Sequence, residues 1–243
     1  MFAFRISPDD PSPLNLAADG SPGPLVDCPA GGVEFHPYFH DSQTKRRVFT
    51  YPAGVGRSLK ATDGIRLMVH FLNTTEDELH PDLHVTVDYV PAGEVDQLAA
   101  EFFLSAAGVV VPPGKSDQRF SFAMPSNVNL LTATGHMHSR GTHLDASILR
   151  GVDGGVAALD AGPATPIYST DTWDEPTPED FSPPLAVAKG DLVKFRCSYS
   201  NDSANTFTFG ESATTNEMCI FQGTYYPAPG GVGIDPFMLG PSE

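Results

Sequence analysis

The chain has 243 residues, a formal net charge of −16 at pH 7 and a pI near 4.7. That acidity excludes nucleic acid and anionic membrane surfaces as partners, and no apolar run is long enough to span a bilayer. With 23 glycines and 23 prolines, and no stretch holding helical apolar spacing over three turns, a helical protein is excluded as well. Residues 1–6 read as a short apolar strand without the basic-then-apolar pattern of a signal peptide, so a mature or trimmed form or a cytoplasmic protein is expected. Residues 7–31 are loop-like, rich in Pro, Gly, Asp and Ser. Residues 33–40 are aromatic and broken by Pro37, which suits an edge strand. Residues 47–51 and 65–73 read as strands, the latter with Arg66, Met68, His70 and Leu72 on one face. Residues 83–90 read as its antiparallel partner after an acidic turn.

Pro91-Ala92-Gly93-Glu94 marks the expected boundary between a first domain, 1–92, and a second, 93–243. In the second, strands are expected at 100–104, 109–111, 118–122, through Asn127-Val128-Asn129-Leu130 to the histidines at 136 and 138, at 144–149, on both sides of Lys189-Gly190, at 206–210 and at Cys219–Tyr226. Residues 160–185, which hold the single tryptophan, Trp173, read as a long loop. Many short strands separated by turn signals indicate an all-β sandwich.

Two places carry chemistry. In a strand, His136 and His138 share a face, and imidazole suits copper, while a thioether such as that of Met218 selects the soft reduced ion. By itself His-x-His is as well explained by two exposed strand histidines. Cys197 and Cys219 lie in β-like runs, where they form either a disulfide or two buried thiols, with Cys28 left over. His36 and His40, spaced four apart around Pro37, read as polar surface or loop residues rather than ligands. His80 and His84 read as exposed, and His143 as an exposed strand histidine. Asp145, Glu211 and Glu217 are candidates to orient a ligating imidazole.

In four places the chain resembles the copper type II, ascorbate-dependent monooxygenases. They are Val109-Val110-Val111-Pro112-Pro113-Gly114-Lys115, Thr134-Gly135-His136-Met137-His138, Gly190-Asp191-Leu192 with Arg196-Cys197-Ser198-Tyr199, and Asn216-Glu217-Met218-Cys219 with Tyr225-Tyr226. Order and spacing agree over roughly residues 95–230. The resemblance implies two jelly-roll-like β-sandwich domains, the first incomplete at its start. It implies that His136, His138 and Met218 ligate the family's M copper, with no catalytic side chain beyond these ligands, and that Cys197 and Cys219 form a disulfide. It also implies O2 and a small-molecule or peptide substrate as partners, ascorbate or another reductant as co-substrate, and an extracytoplasmic, secreted or periplasmic, location.

The first half is similar to the family more loosely. Tyr51-Pro52-Ala53-Gly54-Val55-Gly56 and Leu67-Met68-Val69-His70-Phe71 resemble segments of the family's first domain, in which the histidine is one ligand of a second, H copper. The other two H ligands in the family are an adjacent His-His pair, and this sequence has none. His70 is therefore a remnant, and one copper is expected, two if that site is completed. Positions that in peptide-amidating members hold Arg, Asn and Tyr hold Thr134, Ile220 and Gln222, so no charge-assisted clamp for a peptide carboxylate is present. Three functions follow: a monooxygenase hydroxylating a C–H bond, a one-copper module without turnover, and a metal-free binding sandwich.

Overall fold

Alternating buried and exposed residues build two four-stranded antiparallel sheets packed face to face, in a computed structural model that describes residues 2–6, 38–69, 75–78, 80, 82–151 and 164–234. The strands in chain order are β1 (Phe2–Ile6), β2 (Tyr38–Asp41), β3 (Val55–Gly56), β4 (Gly64–Met68), β5 (Gln97–Leu98), β6 (Ala100–Ser105), β7 (Val110–Val111) and β8 (Gly114–Ala123). There follow β9 (Val128–Met137), β10 (Gly141–Leu149), β11 (Thr165–Thr170), β12 (Glu179–Val187), β13 (Leu192–Asn201), β14 (Phe207–Thr208) and β15 (Cys219–Tyr226). One sheet runs β11-β10-β13-β8 and the other β12-β9-β15-β6. Three further strands, β2-β1-β4, form a separate small sheet. The all-β sandwich expected from the turn-punctuated pattern is what forms.

The core lies between the two large sheets. Phe120 stacks on Phe195 at 5.4 Å, Phe195 reaches Phe221 across the sandwich at 6.1 Å, and Phe221 meets Phe102 at 5.5 Å and Tyr168 at 6.1 Å. Each buried ring of this size removes well over 100 Å² of apolar surface from water, about 150–250 Å², and the run of rings joins the two sheets. The Cys197–Cys219 disulfide does so covalently, because Cys197 belongs to β13 and Cys219 to β15. At Gly190 the backbone takes a positive φ of 87° in the β12–β13 turn, which only glycine adopts without cost. The neighbouring Asp191 side chain accepts from the backbone N–H of Ala188 and Gly151, so this Gly-Asp pair is a turn device.

Along β9, Ala133 and Met137 enter the core, and along β15 Cys219 and Phe221 do the same. The alternate positions therefore face away from the sandwich. That outer face is polar yet buried: Thr132, Thr134, Gln222, Thr224 and Glu101 are all nearly inaccessible. The first half of the chain covers it. Asp41 accepts from Gln222 Nε2 at 2.6 Å, Gln43 reaches β9, Arg47 holds Asp180 of β12 with a two-pronged guanidinium, and Arg57 pairs with Glu101 of β6. β3 adds a short parallel ladder to β5.

Burial drives the Glu101 carboxyl up to about 7 from its ordinary 4.5, against the pull of Arg57. A raised carboxyl holds its proton more tightly folded than unfolded. Its contribution is full below about pH 4.5 and is lost as pH rises through about 7. Urea midpoints between pH 4 and 8 are expected to show stability falling with a limiting slope of about 1.4 kcal/mol per pH unit, and Glu101→Gln to flatten that slope.

The sequence misplaces several elements. Residues 160–185 are not one loop. β11 and β12 lie within or across them, and Trp173 sits in their connection against the core. Both are edge strands, so Pro166, Pro183 and Pro184 are tolerated where a central ladder would reject them. Residues 83–90 form no strand. Among the described residues no ladder partner meets them, and Tyr89 is 76% exposed. Residues 47–51 are also irregular. The edge strand at 33–40 is seen from Tyr38 onward as β2, at one edge of the small sheet. Cys28, His36 and His70 lie outside the described residues. Among the described residues, no helix is long and apolar enough to cross a membrane.

Candidate metal centre

β9 carries the two histidines to the end of its sheet. His136 lies in the strand and is half-buried; His138 follows its last residue and is 4% exposed. Their rings stand edge to face with centroids 5.3 Å apart. Gly135, just before them, has no room for a side chain, because a Cβ there would meet Leu144 of the facing sheet at 2.7 Å. After His138 the chain turns, with Gly141 N–H donating to His138 O at 2.9 Å, and enters β10 in the opposite sheet.

β15 supplies the other side. Its ladder to β9 pairs Ile220 with His136 and Cys219 with Met137. Continued one residue past its last pair, that register would set Met218 across from His138. Directly opposed residues share a sheet face with Cβ atoms about 4.5–5.5 Å apart. Met218, which is nearly buried, thus lies at the same end of the sheet as His136 and His138.

The segment before Met218 is tied to the histidine turn through Glu217, which is wholly buried. Its carboxylate accepts from His138 N–H at 3.1 Å, Arg140 N–H at 3.0 Å and Arg140 Nη1 at 3.2 Å. Burial pushes this carboxyl up, and those same donors oppose the shift. Arg140 also donates to Thr214 O and lies over the Phe207 ring at 3.4 Å. From the opposite sheet, the buried Tyr199 hydroxyl donates to Met218 O at 2.9 Å. Burial first, and then the Glu217 charge, hold that phenol well above its ordinary range, so it keeps the proton it donates.

The ring partners differ from those weighed on sequence. His138 Nδ1 donates to the backbone oxygen of Asn216 at 3.2 Å, and His136 Nδ1 meets Gln43 Oε1 at 2.6 Å. The two Nδ1 partners are thus an amide oxygen and a backbone oxygen, not carboxylates. Glu217 holds the His138 backbone instead. Asp145 lies on β10, where it accepts from Arg196 of β13 and faces His143, and Glu211 is half-buried in the loop after β14. His143 points to Asp171 at 2.6 Å and Asp145 at 3.3 Å. His80 and His84 are 83% exposed, as expected. His40 lies on β2, and burial lowers its pKa. Gln43, Arg140 and Tyr199 carried no local signal, since each acts across 70, 90 or more residues or between sheets. Among the described residues, no group of three or more His, Cys, Asp or Glu gathers in a way that would hold a metal.

Residues 115–231 match the copper type II ascorbate-dependent monooxygenase, C-terminal domain. That span, a little under half of the chain, is similar to the family's C-terminal domain. No curated protein matches the chain. A solved structure described as that of the infectious bursal disease virus Gx strain aligns at 11% identity with a TM-score of 0.19, over 63% of this chain and 42% of that one. At that score the likeness carries no weight for fold or function, and the chain spans less than half of the viral one. Both histidines, Met218 and the disulfide fall inside the matched span, whereas Gln43 falls outside it.

Proposed function

We propose that His136, His138 and Met218 hold a copper ion, and that the protein uses it to hydroxylate a C–H bond with O2 and an external reductant such as ascorbate. The observation that supports this reading is the β9–β15 register, which pairs Cys219 with Met137 and Ile220 with His136, so that its continuation by one residue would put Met218 across from His138 and two residues from the row of His136. The donor set fits copper. Two imidazoles and a thioether match the reduced ion better than zinc, calcium or magnesium. With its Nδ1 hydrogen given to Asn216 O, the neutral His138 ring carries its lone pair on Nε2. Tyr199 and the disulfide hold the Met218 backbone from the opposite sheet. When bound, copper supplies the one-electron and O2 chemistry; the chain's part is to fix the ligands and limit solvent around them.

The two-domain division at residues 92/93 belongs to the same reading, as does an extracytoplasmic location, which the disulfide supports. Thr134, where amidating members place an arginine, gives a peptide carboxylate no cationic partner, so the substrate is not expected to be a C-terminal glycine peptide. A second reading, a one-copper module without turnover, is favoured by the lack of an adjacent His-His pair in these 243 residues.

Titrating the purified protein with Cu(I) and following O2 consumption with ascorbate tests both. Tight binding of about one equivalent, abolished by Met218→Ala, together with reductant-dependent O2 uptake supports the enzyme. The same binding without uptake supports the module, and no binding removes both.

A further inference from the structure

We infer that Gln43 is a positioning residue for the metal centre, setting the tautomer and ring orientation of His136 from the first half of the chain. The inference rests on the copper reading and extends it to a residue outside the matched span.

Residues 41–47 form a strap across the outer face of the second sheet. Asp41 is held by Gln222 of β15, Gln43 by β9 and Arg47 by Asp180 of β12, so its contacts follow the spatial order of three adjacent strands. Gln43 is its centre. β12 pairs with β9 only as far as Ala133. Past that point the Gly135 carbonyl accepts from Gln43 Nε2 at 2.8 Å. Only the amide nitrogen can satisfy that carbonyl, so the amide has one orientation, and its oxygen must face His136 Nδ1, 2.6 Å away. An amide oxygen accepts and cannot donate. His136 Nδ1 is therefore the hydrogen-bearing nitrogen, and in the neutral ring the lone pair sits on Nε2.

His138 is set in the same way by the Asn216 carbonyl. The two rings thus share a tautomer, although one partner comes from 93 residues upstream and the other from 78 residues downstream. Partners of this kind fix a ligand's ring and raise its basicity, and their loss typically costs about 10–100-fold in metal affinity.

The test compares Gln43→Met, Gln43→Glu and Arg47→Met by two readouts. One is the His136 ring tautomer in the metal-free protein at neutral to alkaline pH, from ring 15N shifts. The other is Cu(I) affinity, from competition with a chromogenic chelator. Wild type is expected to show the Nδ1–H form. Gln43→Met is expected to lose that preference and bind Cu(I) about 10–100-fold more weakly. Gln43→Glu, which keeps an acceptor, is expected to retain the tautomer and stay close to wild type in affinity. Arg47→Met loosens the strap without touching His136 and is expected to leave both readouts unchanged. If wild type binds Cu(I) and Gln43→Met keeps both tautomer and affinity, the positioning role is wrong while the copper reading stands. If Gln43→Met and Arg47→Met weaken binding equally with the tautomer intact, the strap is only structural and the inference fails. A wild-type chain that binds no Cu(I) overturns both.

Discussion

Glu217→Ala is expected to destabilise the fold by about 3–5 kcal/mol, the range for removing one partner from a buried, hydrogen-bonded charge pair. The carboxylate is wholly inaccessible and accepts three hydrogen bonds, from His138 N–H, Arg140 N–H and the Arg140 guanidinium. Truncation takes this acceptor from one buried and one partly buried backbone donor and leaves an arginine without its counter-charge. Because one freed donor is the His138 amide, the variant is also expected to bind Cu(I) more weakly than wild type. Glu217→Gln keeps the shape and one acceptor oxygen, and its loss should be smaller. Urea midpoints for the three proteins check the order. An alanine variant within about 1 kcal/mol of wild type would show that the turn does not depend on this carboxylate.

Loss of the Cys197–Cys219 bridge is the second large effect. It closes a segment of 22 residues, and chain-entropy reasoning gives about 3 kcal/mol for a loop of that size. The bridge also joins the sheets at the residue after Met218, so the paired change Cys197→Ser and Cys219→Ser should lower both the unfolding midpoint and Cu(I) affinity. Paired substitution avoids leaving one reactive thiol. An unchanged affinity with a lowered midpoint would mean that the bridge supports the sandwich but not the Met218 side of the site.

What the sequence discloses here follows from where each strand sits. β9, β13 and β15 are central strands, and their runs of β-formers were legible, β15 to the residue. β11 and β12 were not, because an edge strand does not have to satisfy both sides and so admits Pro166, Pro183 and Pro184. Residues 83–90 show the converse. They alternate like a strand, but alternation makes a ladder only where a partner edge is available. At the site, the period of two put His136 and His138 on one face, while Met218 came from family resemblance and not from any spacing. The partners that set the rings could not be read. Gln43 is an ordinary glutamine in a polar stretch, and the acceptor for His138 is a backbone oxygen, which no side-chain pattern reveals.

Copper K-edge X-ray absorption of the Cu(I)-loaded protein tests the central claim most directly. Imidazole nitrogen scattering from two histidines together with a sulfur scatterer that disappears in Met218→Ala is the predicted result. A first shell of nitrogen and oxygen alone, or a sulfur contribution that survives Met218→Ala, would contradict it.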